Sequence, residues 1–221
     1  MYNKIDRLVY FAMGGRNVRK EEKSELTKER IMNAAIQEFG QKGYEATVIN
    51  VICKNYGISK GLFYHNFQGK EELYLRCVEK CFSDVEAFLR GQEINDDLQK
   101  YMELRLQFFS ENPHYARIFF EAVLQPPQGL GGSIKEMKKE FDLLNQQIYR
   151  AALSQLKLRE GITETTALKY YELMQEMFNG YFSSPAYSGK DFGFIIAEHE
   201  EKLSSVLDLM LYGIAERREC K

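Results

Sequence analysis

The chain has 221 residues, 44% of them hydrophobic and 28% charged, which excludes a disordered polypeptide and allows one large domain or a small one joined to a larger. The formal charge of −2 conceals a split: residues 1–76 carry 13 Lys and Arg against 9 Asp and Glu, net +4, and the remainder carries 17 against 23, net −6. That pattern suits a polyanion-binding head on a body that does not bind polyanions.

Cys53, Cys77, Cys81 and Cys220 lack disulfide spacing, and the apolar run 8–13 is too short for a signal core or a membrane span. No membrane partner is expected, and the expected compartment is a reducing cytoplasm.

Residues 1–23 read as an irregular arm. Translation starting at Met13 would make residues 1–12 an artefact. If the arm is real, Arg16, Arg19, Lys20 and Lys23 follow a nucleic-acid backbone, enter a minor groove or, the first expectation, belong to a disordered solubilising tail. A first helix is expected over 27–39, capped by Thr27, with Ile31, Ala35 and Phe39 on one apolar line and Gly40 and Gly43 ending it. Thr47 is read as the cap of a second helix whose inward face carries Val48, Val51 and Ile52. Gly57 supplies a sharp left-handed turn, and Ser59 caps a third helix ending near 66.

A long fourth helix is expected over 70–90, its apolar positions Tyr74, Cys77, Val78, Cys81, Phe82, Val85, Phe88 and Leu89 recurring at helical spacing. Further helices are expected over 96–110 and 113–124, the latter with Asn112 as cap and Pro113 in its first turn. After a loop over 125–132, the Ser133/Glu136 pair reads as a capping box starting one helix over 133–158. Thr163 caps a helix to 182, and the last helix runs over 194–216. The sum is about nine helices, no convincing sheet and no internal repeat.

The informative stretch is 47–67. It reads as two short helices around a glycine turn, with Cys53 at the crossing and Ile52, Ile58 and Phe63 beneath. Between Ala46 and Lys70 there is no Asp or Glu. A helix pair stripped of negative charge is what a phosphate-facing surface requires.

From about Thr27 to Leu73 the chain resembles the TetR family of bacterial transcriptional regulators. The resemblance is carried by Arg30-Ile31, Ala34-Ala35, Phe39, Gly43-Tyr44, Thr47, Ile52, Gly57 to Gly61, Phe63-Tyr64, His65, Phe67, Lys70-Glu71 and Leu73. Cys53 stands where that family usually has alanine, Tyr56 where it often does, and Gly69 is a weak cap for the fourth helix.

The resemblance implies an all-α protein. Its parts are an arm (1–23), a three-helix DNA-binding domain of helix-turn-helix type (24–75) and a larger helical ligand-binding and dimerisation domain (76–221). Carried over by position, Lys60, Gly61, Leu62 and His65 are base-proximal, and Thr47, Ser59, Tyr64 and Lys70 are backbone clamps. Phe63 and Phe67 read as core. Tyr64 has partial packing as its competing role, and His65 is open between phosphate, base and plain exposure.

The family's ligand cavity lies inside the body, so some of Phe108, Phe109, Phe120, Phe141, Tyr149, Met174 and Phe178 are expected to line it. Arg105 and Arg117, with Glu121, stand on or near those apolar faces. They could meet a polar ligand group, with surface salt bridging as the competing role. Leu168, Tyr171, Phe178, Leu203, Val206, Leu207, Met210 and Ile214 form stripes that the resemblance assigns to a four-helix homodimer interface through the last two helices.

The expected partners are double-stranded operator DNA of near-palindromic sequence, a second copy and a small-molecule effector of unknown identity. Cys77 and Cys81 invite a metal or redox reading, but buried cysteines ordinarily act as small hydrophobes, so no metal and no cofactor is expected. No enzyme signature stands out. A repressor, an activator, a nucleoid-type binder and a helical ligand-binding protein or enzyme with a vestigial head are the functions this reading weighs, with a ligand-released repressor first.

Overall fold

The computed structural model describes the backbone of residues 4–214 and the side chains from residue 24 onward, residue 212 excepted. Among these residues there are ten α-helices, one 3-10 turn (Pro185–Tyr187) and no strand. The helices are α1 (Lys4–Ala46), α2 (Ile49–Asn55), α3 (Lys60–Asn66), α4 (Lys70–Arg90), α5 (Leu98–Glu111), α6 (Pro113–Leu124), α7 (Gly131–Met137), α8 (Lys139–Ser154), α9 (Glu164–Phe182) and α10 (Phe192–Ile214). Cys220 and the expected end of the last helix at 216 lie outside the described residues.

Three expectations about the elements need correction. The arm is helical from Lys4 and continuous with α1, so Thr27 lies inside a helix rather than at its start. No proline interrupts 4–46, and Lys, Glu and Arg propagate a helix once it is nucleated. The single helix expected over 133–158 is two, α7 and α8, parted at Lys138. Ser133 sits within α7 and caps nothing, because the helix already begins at Gly131, where Leu130 and Ile134 are buried in the core beside α4. In α2 the inward positions are Ile52 and Cys53, whereas Val48 is half exposed at the N-cap.

Other signals read correctly. Ser59 and Thr163 accept hydrogen bonds from Leu62 N–H at 3.2 Å and Thr166 N–H at 3.1 Å, the geometry of N-caps. Gly69 caps α4 weakly, and Glu72 compensates by reaching back to accept from Gln68 N–H at 2.7 Å. The buried face of α4 carries Tyr74, Cys77, Val78, Cys81, Phe82, Val85 and Leu89, and Phe88 packs partly buried beside them. One continuous apolar core joins head and body through this helix.

The head seats on the body where α1 meets α6. Gly40 and Gly43 allow the close approach: a Cβ on Gly40 would lie 2.4 Å from the Cβ of His114. At Gly43 the backbone turns to φ 77°, breaking the helical geometry of α1, and a Cβ there would meet Glu121 Oε1 at 2.7 Å and Arg117 Nη2 at 2.8 Å. The turn aims Tyr44 N–H at Glu121, whose two oxygens accept it at 2.9 and 3.0 Å. Tyr74 O–H adds a third bond at 3.1 Å. Burial pushes the Glu121 carboxyl up from its ordinary range, although these donors and nearby Arg117 oppose the shift.

Gly43→Ala should therefore destabilise the protein by about 2 kcal/mol, from left-handed strain plus the displaced Glu121 and Arg117. Urea denaturation checks this, and an unchanged midpoint would refute the junction as drawn. A second expectation concerns pH. Because the folded pKa of Glu121 lies above its unfolded value of about 4.3, protonation favours the folded state. That contribution is full below the unfolded pKa and is lost as pH rises through the folded one. The stability of the wild type relative to Glu121→Gln should thus decline as pH rises above the ordinary glutamate range, and a flat difference would count against burial of this carboxylate.

Candidate nucleic-acid interface and effector cavity

The helix-turn-helix is built from inside outward. Ile52, Cys53, Ile58, Phe63 and Phe67 are buried against Ile31, Ala35 and Phe39 of α1, which fixes how α2 and α3 cross. The turn between them closes through Ile58 N–H to Cys53 C=O at 2.9 Å, with Gly57 at φ 62°. Arg30 reaches across from α1 and donates to the carbonyls of Tyr56 at 2.8 Å and Gly57 at 3.2 Å. Asn55 donates to Glu38, a buried carboxylate of α1 that Lys42 holds below its ordinary pKa range. Arg30 and Glu38 thus hold the turn from behind. Their spacing on α1 is that of any exposed face, so sequence alone gives no signal for the role.

The outer face of this pair presents Lys60, Gly61, Leu62, Tyr64 and His65, all exposed. Tyr64 is 56% exposed and meets only the edge of Phe63, so its hydroxyl is available and the packing role is minor. Ser59 is exposed with its oxygen engaged in the cap. No Cβ neighbour lies within 4 Å of Gly61, which leaves open space in front of α3. Lys70 is half-buried at the edge of this face, its Nζ 4.3 Å over the Tyr44 ring and donating to Glu45 C=O at 3.2 Å.

Thr47 departs from its expected role as a backbone clamp. It is 1% exposed, and its hydroxyl donates to the carbonyls of Gly43 at 2.7 Å and Glu38 at 3.3 Å. A side chain buried there stitches the Gly43 turn and is not free to meet a phosphate. Thr47 also does not cap α2.

In the body, a cavity of about 30 Å³ lies among α5, α6, α8, α9 and α10. Of the residues expected to line it, Arg105, Phe141 and Phe178 do so. Phe109 and Phe120 stand just behind, their ring centres 5.6 and 5.8 Å from the Arg105 guanidinium. The others are elsewhere. Phe108 packs on Phe88 and Tyr115, and Tyr149 stacks on Tyr171 at 4.2 Å. Met174 borders the surface groove between α9 and α10. Arg117 belongs to the head–body junction, its guanidinium 4.7 Å from the centre of Phe192. Helical spacing placed these side chains on inward faces, but several inward faces of a bundle look away from any one cavity.

Arg105 is not a surface salt-bridge former. It is 5% exposed, and its Nε and Nη2 donate to Glu200, itself 7% exposed, at 3.0 and 3.1 Å. Burial pushes the Glu200 carboxyl up, but Arg105 beside it outweighs that and holds it below its ordinary range. His199 bridges Glu200 at 3.0 Å and Asn179 at 3.1 Å, and burial pulls its pKa down. Tyr101 O–H donates to Asn145 at 2.7 Å. No sequence signal marks Glu200 and His199, because Glu198, Glu200 and Glu201 crowd one helix and charged side chains there ordinarily face solvent.

The final helices expose an apolar stripe that only partly coincides with the one expected: Phe178, Val206 and Met210 border it. Tyr171, Leu203, Leu207 and Ile214 are buried in the chain's own core. Tyr170, Leu173, Met177 and Tyr181 of α9 are about half or more exposed, and the first three border a shallow groove of about 400 Å³ with Met174, Phe178, Val206 and Met210. Cys77 and Cys81 are buried, and burial pushes both thiols up, which makes them poor nucleophiles. Among the described residues no three metal-ligating side chains cluster, and no helix is long and apolar enough to cross a membrane.

Comparison with known proteins bears on this arrangement. The family model described as "Bacterial regulatory proteins, tetR family" matches residues 31–77, and that described as "Tetracyclin repressor-like, C-terminal domain" matches 92–213. The biofilm operon negative transcriptional regulator IcaR of Staphylococcus epidermidis is 28% identical over 117 residues, covering 52% of this chain and 63% of that protein. The uncharacterised regulator YerO of Bacillus subtilis is 29% identical over 147 residues, covering 63% of this chain and 50% of that protein. The chain thus matches less than two thirds of the length of either relative. Among solved structures, the fatty acid degradation regulator FadR from Bacillus halodurans superposes with a TM-score of 0.60 at 15% identity, covering 86% of this chain and 97% of that one. A regulator from Chloroflexus aurantiacus gives 0.55 at 20% identity, covering 87% and 95%, and these two likenesses speak for the fold. With family models matched over the head and over more than half of the chain in the body, this protein belongs to the TetR family of bacterial regulatory proteins.

Proposed function

We propose that the protein is a ligand-released transcriptional repressor that binds a near-palindromic operator as a homodimer in the cytoplasm. The observation that carries the reading is the exposed α3 face: Lys60, Gly61, Leu62, Tyr64 and His65 stand out on a head segment without a carboxylate from Ala46 to Lys70. Lys60 and Tyr64 would meet the phosphates and edges of a major groove, with Leu62 against a thymine methyl. Lys70, pinned over Tyr44, would add a fixed positive charge at the rim. The repressor sense is supported by the relative described as a negative regulator of a biofilm operon.

Two copies would pair through the stripe of Tyr170, Leu173, Met177 and Tyr181, setting two α3 helices about one or more DNA turns apart. An effector in the body cavity would favour a head separation that no longer matches successive grooves. It must bind that state more tightly, since a ligand of equal affinity for both states shifts nothing. Both α4 and α6 are placed to carry the change. Phe119 of α6 borders the cavity, and two residues on Glu121 holds the head.

Retardation of a fragment carrying the protein's own promoter tests the reading. Lys60→Ala and Tyr64→Ala should each weaken retention about tenfold or more, and Lys60→Ala should lower the salt slope by about 1. Undiminished retention by both variants would leave α3 without its role. For the dimer, Met177→Glu buries a charge in the proposed seam and should yield a monomer by light scattering at micromolar concentration, with operator retention lost. A dimer that survives this substitution must be built on another face.

A further inference from the structure

The body buries an unusually polar group among its phenylalanines: Arg105, Glu200, His199 and Asn145 are each less than 8% exposed. A buried ion pair is a poor source of stability compared with apolar packing, so its presence beside a cavity calls for another role. The formal charges there are already balanced. Arg105 spends Nε and Nη2 on Glu200. Lys138 at the cavity wall is paired with Asp142, one turn further along. His199 has both ring nitrogens engaged, by Glu200 and Asn179, and burial lowers its pKa.

What remains for a guest is amide chemistry and rings. Asn145, Gln175 and Asn179 line the space, and each uses one end in the surrounding network: Asn145 accepts from Tyr101, Gln175 donates to Tyr171, and Asn179 meets His199. An amide engaged at one end still offers a donor or an acceptor at the other. Phe119, Phe141 and Phe178 supply aromatic walls.

Resting on the reading of this cavity as the effector site, we propose that it takes an uncharged ligand: a flat apolar body ending in an amide- or ketone-type carbonyl. Carboxylates and amidinium or ammonium ions of the same shape are refused. An anion would set a second negative charge beside Glu200 and compete for a guanidinium whose fork is already engaged. A cation would sit against Arg105, which is buried and has nowhere to retreat. A neutral carbonyl compound meets the free amide ends without disturbing either charge. The space of about 30 Å³ holds about one water, so such a guest enters by widening it, which displaces Phe119 on α6.

Benzamide, benzoate and benzamidinium share one shape and differ in charge, and their binding to the full-length protein can be read by ligand-detected NMR. Benzamide should bind at least about tenfold more tightly than either ion. Glu200→Gln removes the counter-charge of Arg105 and should reverse the order, favouring benzoate. Should that variant not fold, Asn145→Leu supplies the second arm and should weaken benzamide alone. The proposal is overturned if either ion matches benzamide on the wild type, if Glu200→Gln keeps the benzamide preference, or if benzamide shows no binding up to about 10 mM. Operator retention by ligand-free protein judges the regulator reading separately. Charge-selective binding without DNA retention would uphold the cavity chemistry and sink repression, and the converse result would do the opposite.

Discussion

The polar joint between head and body is one carboxylate, set at the edge of the apolar core that they share. Glu121 accepts the backbone N–H of Tyr44 with both oxygens and the hydroxyl of Tyr74 with one, joining α1, α4 and α6 at a point where two glycines let backbones close in. Taking a carboxylate out of water is costly unless donors replace the lost hydration, and the upward shift of its pKa shows that replacement is incomplete. The left-handed turn at Gly43 belongs to the same arrangement. It aims Tyr44 N–H at the carboxylate, and Thr47 then ties off the carbonyls of Gly43 and Glu38. With α1 anchored in this way, α2 and α3 are presented at a defined angle to the body.

That placement gives α6 two contrasting faces. One carries His114, Arg117 and Glu121 against the head, and the other carries Phe119 and Phe120 against Arg105 and His199. Helix α6 has the head on one side and the cavity on the other, so displacing it as a unit would move both. Its rings interlock with Phe109 and Phe141 at centroid separations of 4.8 to 5.3 Å, and cores packed this closely change by discrete repacking. In the proposed mechanism a shift at the cavity would reach Glu121 as a displacement of backbone, to which its hydrogen bonds with Tyr44 N–H are sensitive.

How legible this was in the chain differs by element for physical reasons. The head was readable because local chemistry dictates it: Gly57 supplies the turn, Ser59 the cap, and the apolar spacing places Phe63 and Phe67 beneath. The Ser133/Glu136 pair misled because a capping box is a local preference, and tertiary packing of Leu130 and Ile134 started the helix two residues earlier. On α9 and α10 apolar residues stand on more than one face, Tyr170 and Leu173 beside Tyr171, and Val206 and Met210 beside Leu203 and Leu207. Such a helix offers periodicity more than one face, so the expected stripe mixed core residues (Tyr171, Leu203, Leu207, Ile214) with residues at the exposed groove (Phe178, Val206, Met210). Arg105 and Glu200 are 95 residues apart, and nothing local says that two charged residues will find each other inside a core.

The two buried glutamates show how one residue type serves two purposes. Glu121 is pushed up in pKa by burial, which the neutral donors Tyr44 N–H and Tyr74 O–H oppose without overcoming, so its bonds are directional and its charge is only partly compensated. Glu200 is pushed down because Arg105 lies against it, so its charge is cancelled and its immediate surroundings are electrostatically quiet. Directional bonds suit a joint, since a small misalignment weakens them sharply. A cancelled charge suits the wall of a cavity, since the space can stay closed without an exposed ion demanding hydration. The proposed coupling and the proposed selectivity meet on α6, which touches both the joint and the cavity wall.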